Sequence, residues 1–193
     1  MENIYGSRLP EMEAQLEEML RRIDSLRARM NEENGMDPVE HCLARIKSEE
    51  SMREKCRRQK LPENEHSALV EIHDAIGLRI VCAFLNDVYA VRDYLAGFDD
   101  LKIIEEKDYI KNVKPNGYRS YHMIMQASSG LFIEFQIRTI SMDTWAALEH
   151  HIKYKKNISG NTALIASELK RCAEDLAATD VSMQAIRDLI LEQ

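Results

Sequence analysis

Two neighbouring stretches of the chain carry side chains whose types and spacing suit chemistry. Residues 111–122 place two lysines around a Pro-Asn-Gly turn and then bring Tyr, Arg, Ser and His into an apolar run. Residues 132–138 alternate strictly between apolar and polar side chains. In a strand, this alternation sets Glu134, Gln136 and Arg138 side by side on one face. The solvent face of an ordinary antiparallel sheet has the same pattern, so the alternation alone leaves both interpretations open.

A second candidate group is a stripe of hydrogen-bond donors on a predicted helix. If this helix begins near residue 48, four donor side chains at spacings of four, four and three residues lie within about an 80° arc of one face. The stripe consists of Lys47, Ser51, Lys55 and Arg58. A surface helix whose cations happen to align would look the same in the sequence.

A single acid precedes the most apolar strand predicted from the sequence. Residues 78–84 are β-branched and apolar, and the run is entered through Gly77 with Arg79 near its start. Asp74 stands just before this edge. A carboxylate there is a candidate site residue, and a turn-capping role beside Gly77 is equally compatible with the sequence.

The composition indicates one domain whose cations are concentrated locally. The chain has 193 residues and a formal net charge of -7, which argues against a surface built throughout for nucleic acid. Lysines and arginines cluster in residues 43–60 and 107–119, which suits small polyphosphates or a solvated charged face. Four scattered cysteines predict reduced thiols. We find no signal peptide and no apolar run near the ~20 residues of a membrane span, and therefore expect a cytoplasmic protein without a membrane partner.

Hydrophobic periodicity predicts long amphipathic helices at both ends of the chain. One apolar seam runs through residues 9–30 and ends at an Asn-Gly pair, and a second runs through residues 165–190. These helices could pack on each other, on the central domain or on another subunit. The predicted division is an N-terminal extension (1–36), a central domain (37–156) and a C-terminal extension (157–193).

The central part predicts helices first and then a sheet. Asp37-Pro38 is typical of a helix start and predicts a helix toward Ile46, before the helix that carries the donor stripe. Strands are predicted at 78–84, 101–105, 119–127 and 131–138, with helices at 86–96 and 139–155 and a short strand near 107–110. This order predicts an α+β fold with a mixed sheet covered by helices.

The motifs, in their order along the chain, resemble the synthetase domain of the RelA/SpoT family. The short chain resembles the family's single-domain members, the small alarmone synthetases, and the resemblance covers roughly residues 37–156. The matching pieces are Arg45-Ile46-Lys47 with Ser51 and Lys55, Asp74-x-x-Gly77-x-Arg79, Asp108-Tyr109-Ile110, Asn116-Gly117-Tyr118-Arg119-Ser120-x-His122, Glu134-x-Gln136-Ile137-Arg138-Thr139 and Glu149-His150-x-x-x-Tyr154-Lys155.

The resemblance implies a pyrophosphokinase that moves the β,γ-pyrophosphate of ATP to the 3′-oxygen of GDP or GTP. It also implies a sheet of about five strands related to nucleotidyltransferases, Mg²⁺ as cofactor and a homotetramer. Asp74 and Glu134 would be catalytic and would hold the metal, with Glu149 as a second candidate ligand. The donor ATP would be bound by Arg45, Lys47, Ser51, Lys55, Arg58 and Arg79. The acceptor nucleotide would be bound by Lys111, Lys114, Asn116, Tyr118, Arg119, His122 and Gln136.

Other interpretations of these residues stay open at the level of the sequence. Tyr118 before a strand and His122 within one are, taken singly, more typical of structural residues than of a site. Some relatives use the same fold as toxins that modify the 3′ end of tRNA or make adenosine alarmones, and a stacking tyrosine accepts any purine. A catalytically silent RNA-binding or scaffolding protein is the alternative from another class. The sequence does not indicate RNA binding, and Asp74, Tyr118 and Glu134 together favour an enzyme.

Overall fold

The computed structural model describes residues 3–154 and 161–192. A short 3₁₀ helix, Gly6–Arg8, precedes the first long helix, and a π-helix, Ser67–Glu71, lies between α2 and β2. The long elements are α1 (Leu9–Asn34), β1 (Val39–Ile46), α2 (Glu49–Gln59), β2 (Ile76–Cys82), α3 (Leu85–Ala96), β3 (Leu101–Asp108), β4 (Tyr121–Ala127), β5 (Phe132–Thr139), α4 (Ile140–Tyr154) and α5 (Thr162–Leu191).

The five strands form one mixed sheet in the order β1-β2-β5-β4-β3. The central strands β2 and β5 run parallel, and every other neighbouring pair is antiparallel. This arrangement confirms the predicted α+β class and the expected number of strands. The predicted hairpin of β4 and β5 is present, and it places the polar face of β5 next to β2, the strand that follows Asp74.

The helix predicted from Asp37-Pro38 to Ile46 is wrong, because this segment is the edge strand β1. The Asp37 carboxylate accepts from the Val39 backbone N–H at 2.9 Å, so it caps a turn and not a helix. Strand β1 then pairs with the whole of β2, and the paired residues are 30 or more positions apart, a contact that local periodicity cannot reveal. The fifth strand is therefore β1, and the short strand expected near 107–110 is the end of β3.

One face of the sheet is buried under α1 and α3. The inward residues of β2 and β5 are fully buried, as are Met12, Met19 and Ile23 of α1. Helix α1 ends where the Asn-Gly pair predicted, because Gly35 adopts a left-handed conformation (φ 67°) and its N–H caps the carbonyl of Asn31 at 2.8 Å. The N-terminal seam thus packs on the central domain and shares its core.

The C-terminal helix α5 packs on α3 and α4 through a face that is mostly polar. Its buried residues are Ala173, Asp180, Gln184 and Arg187, and Arg187 donates to Asp87 of α3 at 2.5 Å. The second half of the predicted apolar seam lies on another face and is exposed. The predicted boundary between the central domain and the C-terminal extension, and Lys155 of the helix predicted at 139–155, lie outside the described residues. In the described ranges, no helix has the length and hydropathy needed to cross a membrane.

Candidate active site

The face of the sheet opposite α1 and α3 forms the floor of a cleft. Cross-strand pairing brings outward residues of β1, β2, β5 and β4 into two adjacent rows. In the first row the middle position is Gly77, where an added Cβ would meet no atom within 4 Å, so the floor is open there. The first row consists of Arg45, Gly77 and Glu134. The second row consists of Arg79, Gln136 and His122.

One end of the cleft holds a carboxylate between two ammonium groups. Lys47 Nζ and Lys55 Nζ both donate to Asp74 Oδ2, each at 2.5 Å. Burial alone would raise the pKa of Asp74, but the two lysines outweigh it and hold the pKa of this carboxyl below its ordinary value. Asp74 is therefore ionised at neutral pH. Its other oxygen, Oδ1, is buried and has no hydrogen-bond partner among the described residues.

The donor stripe predicted on one helix is assembled from two elements. Lys47 follows β1 and lies before Ser48, whose side chain caps α2, whereas Lys55 lies within α2. Both lysines still converge on one carboxylate. Ser51 and Arg58 are exposed on the same helix, and the Ser51 hydroxyl accepts from that of Ser48 at 2.9 Å.

Arg45 and Arg79 line the middle of the cleft, as expected for neighbours on β1 and β2. Arg79 Nη1 lies 3.5 Å from Asp143 Oδ1. Its Nε is buried, and within residues 3–154 and 161–192 it has no hydrogen-bond partner. Burial and the nearby Arg138 lower the pKa of Arg79, since both disfavour another cation there. Arg45 is exposed, so the two guanidinium groups bound an open space.

A series of polar contacts joins Glu134 to the ring of Tyr118. His122 Nδ1 lies 3.7 Å from Glu134 Oε1, and His122 Nε2 lies 2.8 Å from the Tyr118 hydroxyl. Arg138 Nη2 donates to this hydroxyl at 2.6 Å. Gln136 donates to Glu134 Oε2 at 3.0 Å and accepts from Arg138 at 2.8 Å.

Glu134 is held in its ionised form despite its burial. Removal from solvent raises the pKa of this carboxyl, and the contacts with His122 and Gln136 lower it. The charge of Asp74, which lines the same cleft, acts in the raising direction. The net result is a pKa below the ordinary value, so Glu134 can accept a proton at neutral pH.

The structure brings some of the predicted loop residues into the cleft and directs others elsewhere. Lys114 lines the cleft beside His122 and Glu134, with its Nζ 4.9 Å from the centroid of the Tyr118 ring. Lys111 points away, because its Nζ lies 4.9 Å from the centroid of the Tyr89 ring.

Arg119 also faces away from the cleft and holds α5. Its Nη1 donates to the backbone carbonyls of Gly117 at 3.2 Å and Ala173 at 3.1 Å. Gly117 has a φ of 93°, and a Cβ there would approach that of Ala173 to 2.7 Å. A glycine is therefore required at this contact between the loop and α5.

Glu149 and Asn116 lie on the α4 side of the cleft. Asn116 Nδ2 donates to Glu149 Oε1 at 3.3 Å, and Asn116 Oδ1 accepts from the Tyr118 backbone N–H at 3.2 Å. Glu149 lines the part of the cleft bounded by Arg79 and Tyr118, whereas Asp74 and Glu134 line the part beyond Arg79. Glu149 remains the second candidate ligand, on the α4 side of the same cleft.

Four residues that the sequence did not assign to the site belong to its geometry. Arg138 is 4% exposed and orients both Tyr118 and Gln136, a role that its position on the polar face of β5 already suggested. Asp143 accepts from Arg138 at 3.2 Å, and no motif pointed to it. The other two are Lys107 and Tyr109, which line the cleft next to His122. Tyr109 belongs to one of the matching motifs, whereas Lys107 is placed there by its pairing with His122.

The carboxylates of the cleft fit a metal that arrives with its substrate. Within residues 3–154 and 161–192 there is no cluster of three or more His, Cys, Asp or Glu that could hold an ion by itself. Mg²⁺ is commonly bound by one or two carboxylates together with substrate phosphates and water. Asp74 with its unpartnered Oδ1, and Glu134 in the same cleft, offer such a pair.

Comparison with known proteins gives a consistent result. The family described as "Region found in RelA / SpoT proteins" matches residues 44–159. The chain is 40% identical over 161 residues to the GTP pyrophosphokinase YwaC of Bacillus subtilis (strain 168), covering 80% of this chain and 76% of that one. It is 34% identical over 185 residues to the GTP pyrophosphokinase YjbM of the same organism, covering 92% and 85%. The crystal structure of small alarmone synthetase 1 from Bacillus subtilis, bound to its product pppGpp, matches with a TM-score of 0.79 at 31% identity over 93% of this chain and 94% of that one.

Proposed function

This chain belongs to the RelA/SpoT family, and we propose that it transfers the β,γ-pyrophosphate of ATP to the 3′-oxygen of GDP or GTP. The products are AMP and a guanosine alarmone. The observation that carries this proposal is the cleft itself, which sets Asp74 between two lysines at one end and the ionised Glu134 beside Tyr118 and His122 toward the other. A donor and an acceptor nucleotide can meet over Gly77 and Gln136.

On the donor side, the cations at Asp74 receive the ATP phosphates. Lys47 and Lys55 are held by one carboxylate, so their ammonium groups are ordered before ATP binds. Ser51 and Arg58, exposed on the same helix, extend this surface outward. Arg45 and Arg79 flank the adenine, since guanidinium planes stack on aromatic rings better than ammonium groups do.

On the acceptor side, Tyr118 stacks on the guanine while Glu134 accepts the proton of the 3′-hydroxyl. Arg138 and His122 fix the Tyr118 hydroxyl, so the ring plane is set before the nucleotide arrives. Lys114 lies beside Tyr118 and supplies positive charge for the acceptor's phosphates. The positions of Lys111 and Arg119 support a structural role, and we leave them out of the nucleotide contacts.

The cofactor in this proposal is Mg²⁺, held by Asp74 together with substrate phosphates, while Glu134 in the same cleft serves as the base. When bound, the ion supplies positive charge to the phosphate oxygens of the transferred group. The chain's own residues then orient the two nucleotides and remove the proton. We keep Glu149 as an alternative ligand; it accepts from Asn116, whose side chain also bonds to the backbone of Tyr118.

The direct test is to incubate the purified protein with ATP and, in separate reactions, with GDP, GTP, GMP, AMP or tRNA, and to resolve the products. We expect AMP to form together with a pyrophosphorylated guanosine nucleotide. Modification of tRNA or of AMP alone would favour the toxin-like activities instead. Absence of any transfer, with nucleotide binding retained, would favour a silent binding or scaffolding protein.

Lys55→Ala is expected to raise the KM for ATP by about 10- to 100-fold and to slow turnover, because one charged hydrogen bond to a phosphate is lost. The KM of the acceptor should stay nearly unchanged, as measured by steady-state kinetics with each nucleotide varied in turn. Arg57→Ala is the matched control, since Arg57 is exposed on the same helix and pairs with Glu63 at 3.1 Å. Equal losses for both nucleotides would contradict the donor assignment of α2.

We further propose that the chain forms a homo-oligomer, most simply a tetramer, through the exposed face of α5. Large apolar side chains with half or more of their surface exposed follow one another near its end. Those that share one face with Met183 are Ile186, Leu189 and Ile190.

Met183→Asp is expected to reduce the molar mass measured by light scattering, because Met183 is 47% exposed on this face of α5. Leu176 is a poorer probe, since it lines a small cavity with Trp145 inside the subunit. Ile104→Asp, at an exposed position of β3, is the control and should leave the mass unchanged. A wild-type protein that stays monomeric at all micromolar concentrations would refute the oligomer.

We place this activity in the cytoplasm, where ATP and GTP are available. The four cysteines are all free, which fits a reducing compartment.

A further inference from the structure

The segment that precedes α1 contacts the junction between β1 and α2. Tyr5 is only 2% exposed, and its hydroxyl donates to the backbone carbonyl of Lys47 at 2.6 Å. The backbone N–H of the neighbouring Ile4 donates to the carboxylate of Glu49 at 3.1 Å. Two successive residues of the N-terminus are thus bonded to residues 47 and 49, and both bonds cross more than 40 positions of sequence.

This junction holds the backbone of Lys47 from both sides. The Lys47 N–H donates to the carbonyl of Ala75 at 2.8 Å, while its carbonyl accepts from Tyr5. Ala75 directly follows Asp74, whose Oδ2 receives the Lys47 ammonium at 2.5 Å. The main chain and the side chain of Lys47 are therefore fixed against the same two-residue segment, and Tyr5 closes the arrangement from the other side.

The Tyr5 hydroxyl stays a donor throughout the working pH range. Burial raises the pKa of Tyr5 strongly, and the charges of Asp74 and Glu49 add to the effect. A phenylalanine would fill the same apolar space among core residues without supplying this bond. The hydroxyl thus has a specific partner in the donor half of the cleft.

We propose that Tyr5 is a positioning residue for ATP, which acts through the Lys47 carbonyl to set the Lys47 ammonium at Asp74. The proposal rests on the donor assignment of Lys47 made above. Tyr5 lies outside residues 44–159, the part of the chain matched by the family, so the N-terminal segment would add to the donor site from beyond the shared domain.

The test compares Tyr5→Phe with Tyr94→Phe. Tyr94 offers a matched control because its hydroxyl also donates to a backbone carbonyl, that of Arg22, at 3.2 Å and away from the cleft. Losing the Tyr5 bond should weaken ATP binding by about 3- to 10-fold, measured as the Kd for ATP with Mg²⁺ by calorimetry. The KM of the acceptor should not change. Tyr94→Phe should alter thermal stability alone.

A double-mutant cycle with Lys47→Ala separates positioning from general stability. If Tyr5 acts through Lys47, the Tyr5→Phe effect on the ATP Kd should disappear once the Lys47 side chain is gone. Additive losses of ATP affinity in the double mutant would overturn the proposal, as would weaker binding of both nucleotides in Tyr5→Phe. A Tyr5→Phe protein whose Kd for ATP equals that of Tyr94→Phe would overturn it too. An unchanged Kd in Lys47→Ala alone would instead refute the donor assignment on which the proposal rests.

Discussion

Replacing Glu134 by glutamine is expected to lower kcat by about 10²- to 10⁴-fold, because the acceptor's 3′-hydroxyl loses the base that takes its proton. The fold should persist. Glutamine has nearly the same shape, and its amide can turn so that its oxygen accepts from Gln136 in place of the carboxylate that now does so at 3.0 Å. The circular dichroism spectrum and the melting temperature should therefore match those of the wild type, whereas kcat should fall.

The pH dependence of this loss follows from the environment of Glu134. Its pKa lies below the ordinary glutamate value, so the carboxylate remains ionised at neutral pH and is protonated only as the pH falls through that lowered value. The wild type should thus keep its base throughout the neutral range. Residual activity of Glu134→Gln should instead rise with pH, as hydroxide becomes available, and should not respond to added metal.

Glu40→Gln is the control for this experiment, because Glu40 is exposed on the edge strand β1. It should leave kcat at the wild-type value. A Glu134→Gln protein with near-normal turnover would remove Glu134 from the mechanism, and Glu149, which also lines the cleft, would be the next carboxylate to test.

Asp74→Asn is expected to reduce kcat/KM by about 10²-fold or more, and high Mg²⁺ or Mn²⁺ should restore part of it. The carboxylate has two separable tasks in the structure. Oδ1 has no partner in the part of the chain that the structure describes and is available to a metal, whereas Oδ2 accepts from both Lys47 and Lys55. Weakened metal binding can be overcome by concentration. Added metal does not restore the negative charge that Asp74 places between the two ammonium groups, so the rescue should remain incomplete.

The measurement is a titration of rate against metal concentration for the wild type, Asp74→Asn and Glu134→Gln. Asp100→Asn is the control, since Asp100 pairs with Arg22 on the surface and should show wild-type metal dependence. A shifted metal titration in Asp74→Asn alone would support a metal role for this residue. Identical titrations in all four proteins would show that Asp74 acts only through the two lysines.

Several features of the fold could be predicted because local sequence carries their cause. The period of apolar residues along α1 and the Asn-Gly pair at its end are local signals, and the helix ends there. The alternation along β5 is also local, and it places Glu134 and Gln136 on one face. The order of motifs along the chain was enough to identify the family and the reaction class.

The strand β1 and the face of α5 could not be predicted in this way. An Asp-Pro pair locally favours the start of a helix. Residues 39–46 nevertheless form a strand, because pairing with β2 gives them a full ladder of hydrogen bonds that outweighs the local preference. Helix α5 carries an apolar seam, but the surface offered by α3 and α4 accepts polar partners such as Arg187 on Asp87. Both outcomes depend on which elements pack against β1 and α5. Hydrophobic periodicity holds no information about these partners.

The amino-acid sequence by itself specifies which chemical groups the protein contains and in which order they occur. The tertiary structure specifies which of these groups come into contact. Residues close to one motif can point in opposite directions, as Tyr118 toward His122 and Arg119 toward Ala173 show. Residues far apart can converge, as Tyr5 and Lys47 do. The physical reason is that a side chain's type is a local property, whereas its partner is set by strand register and helix packing between distant segments.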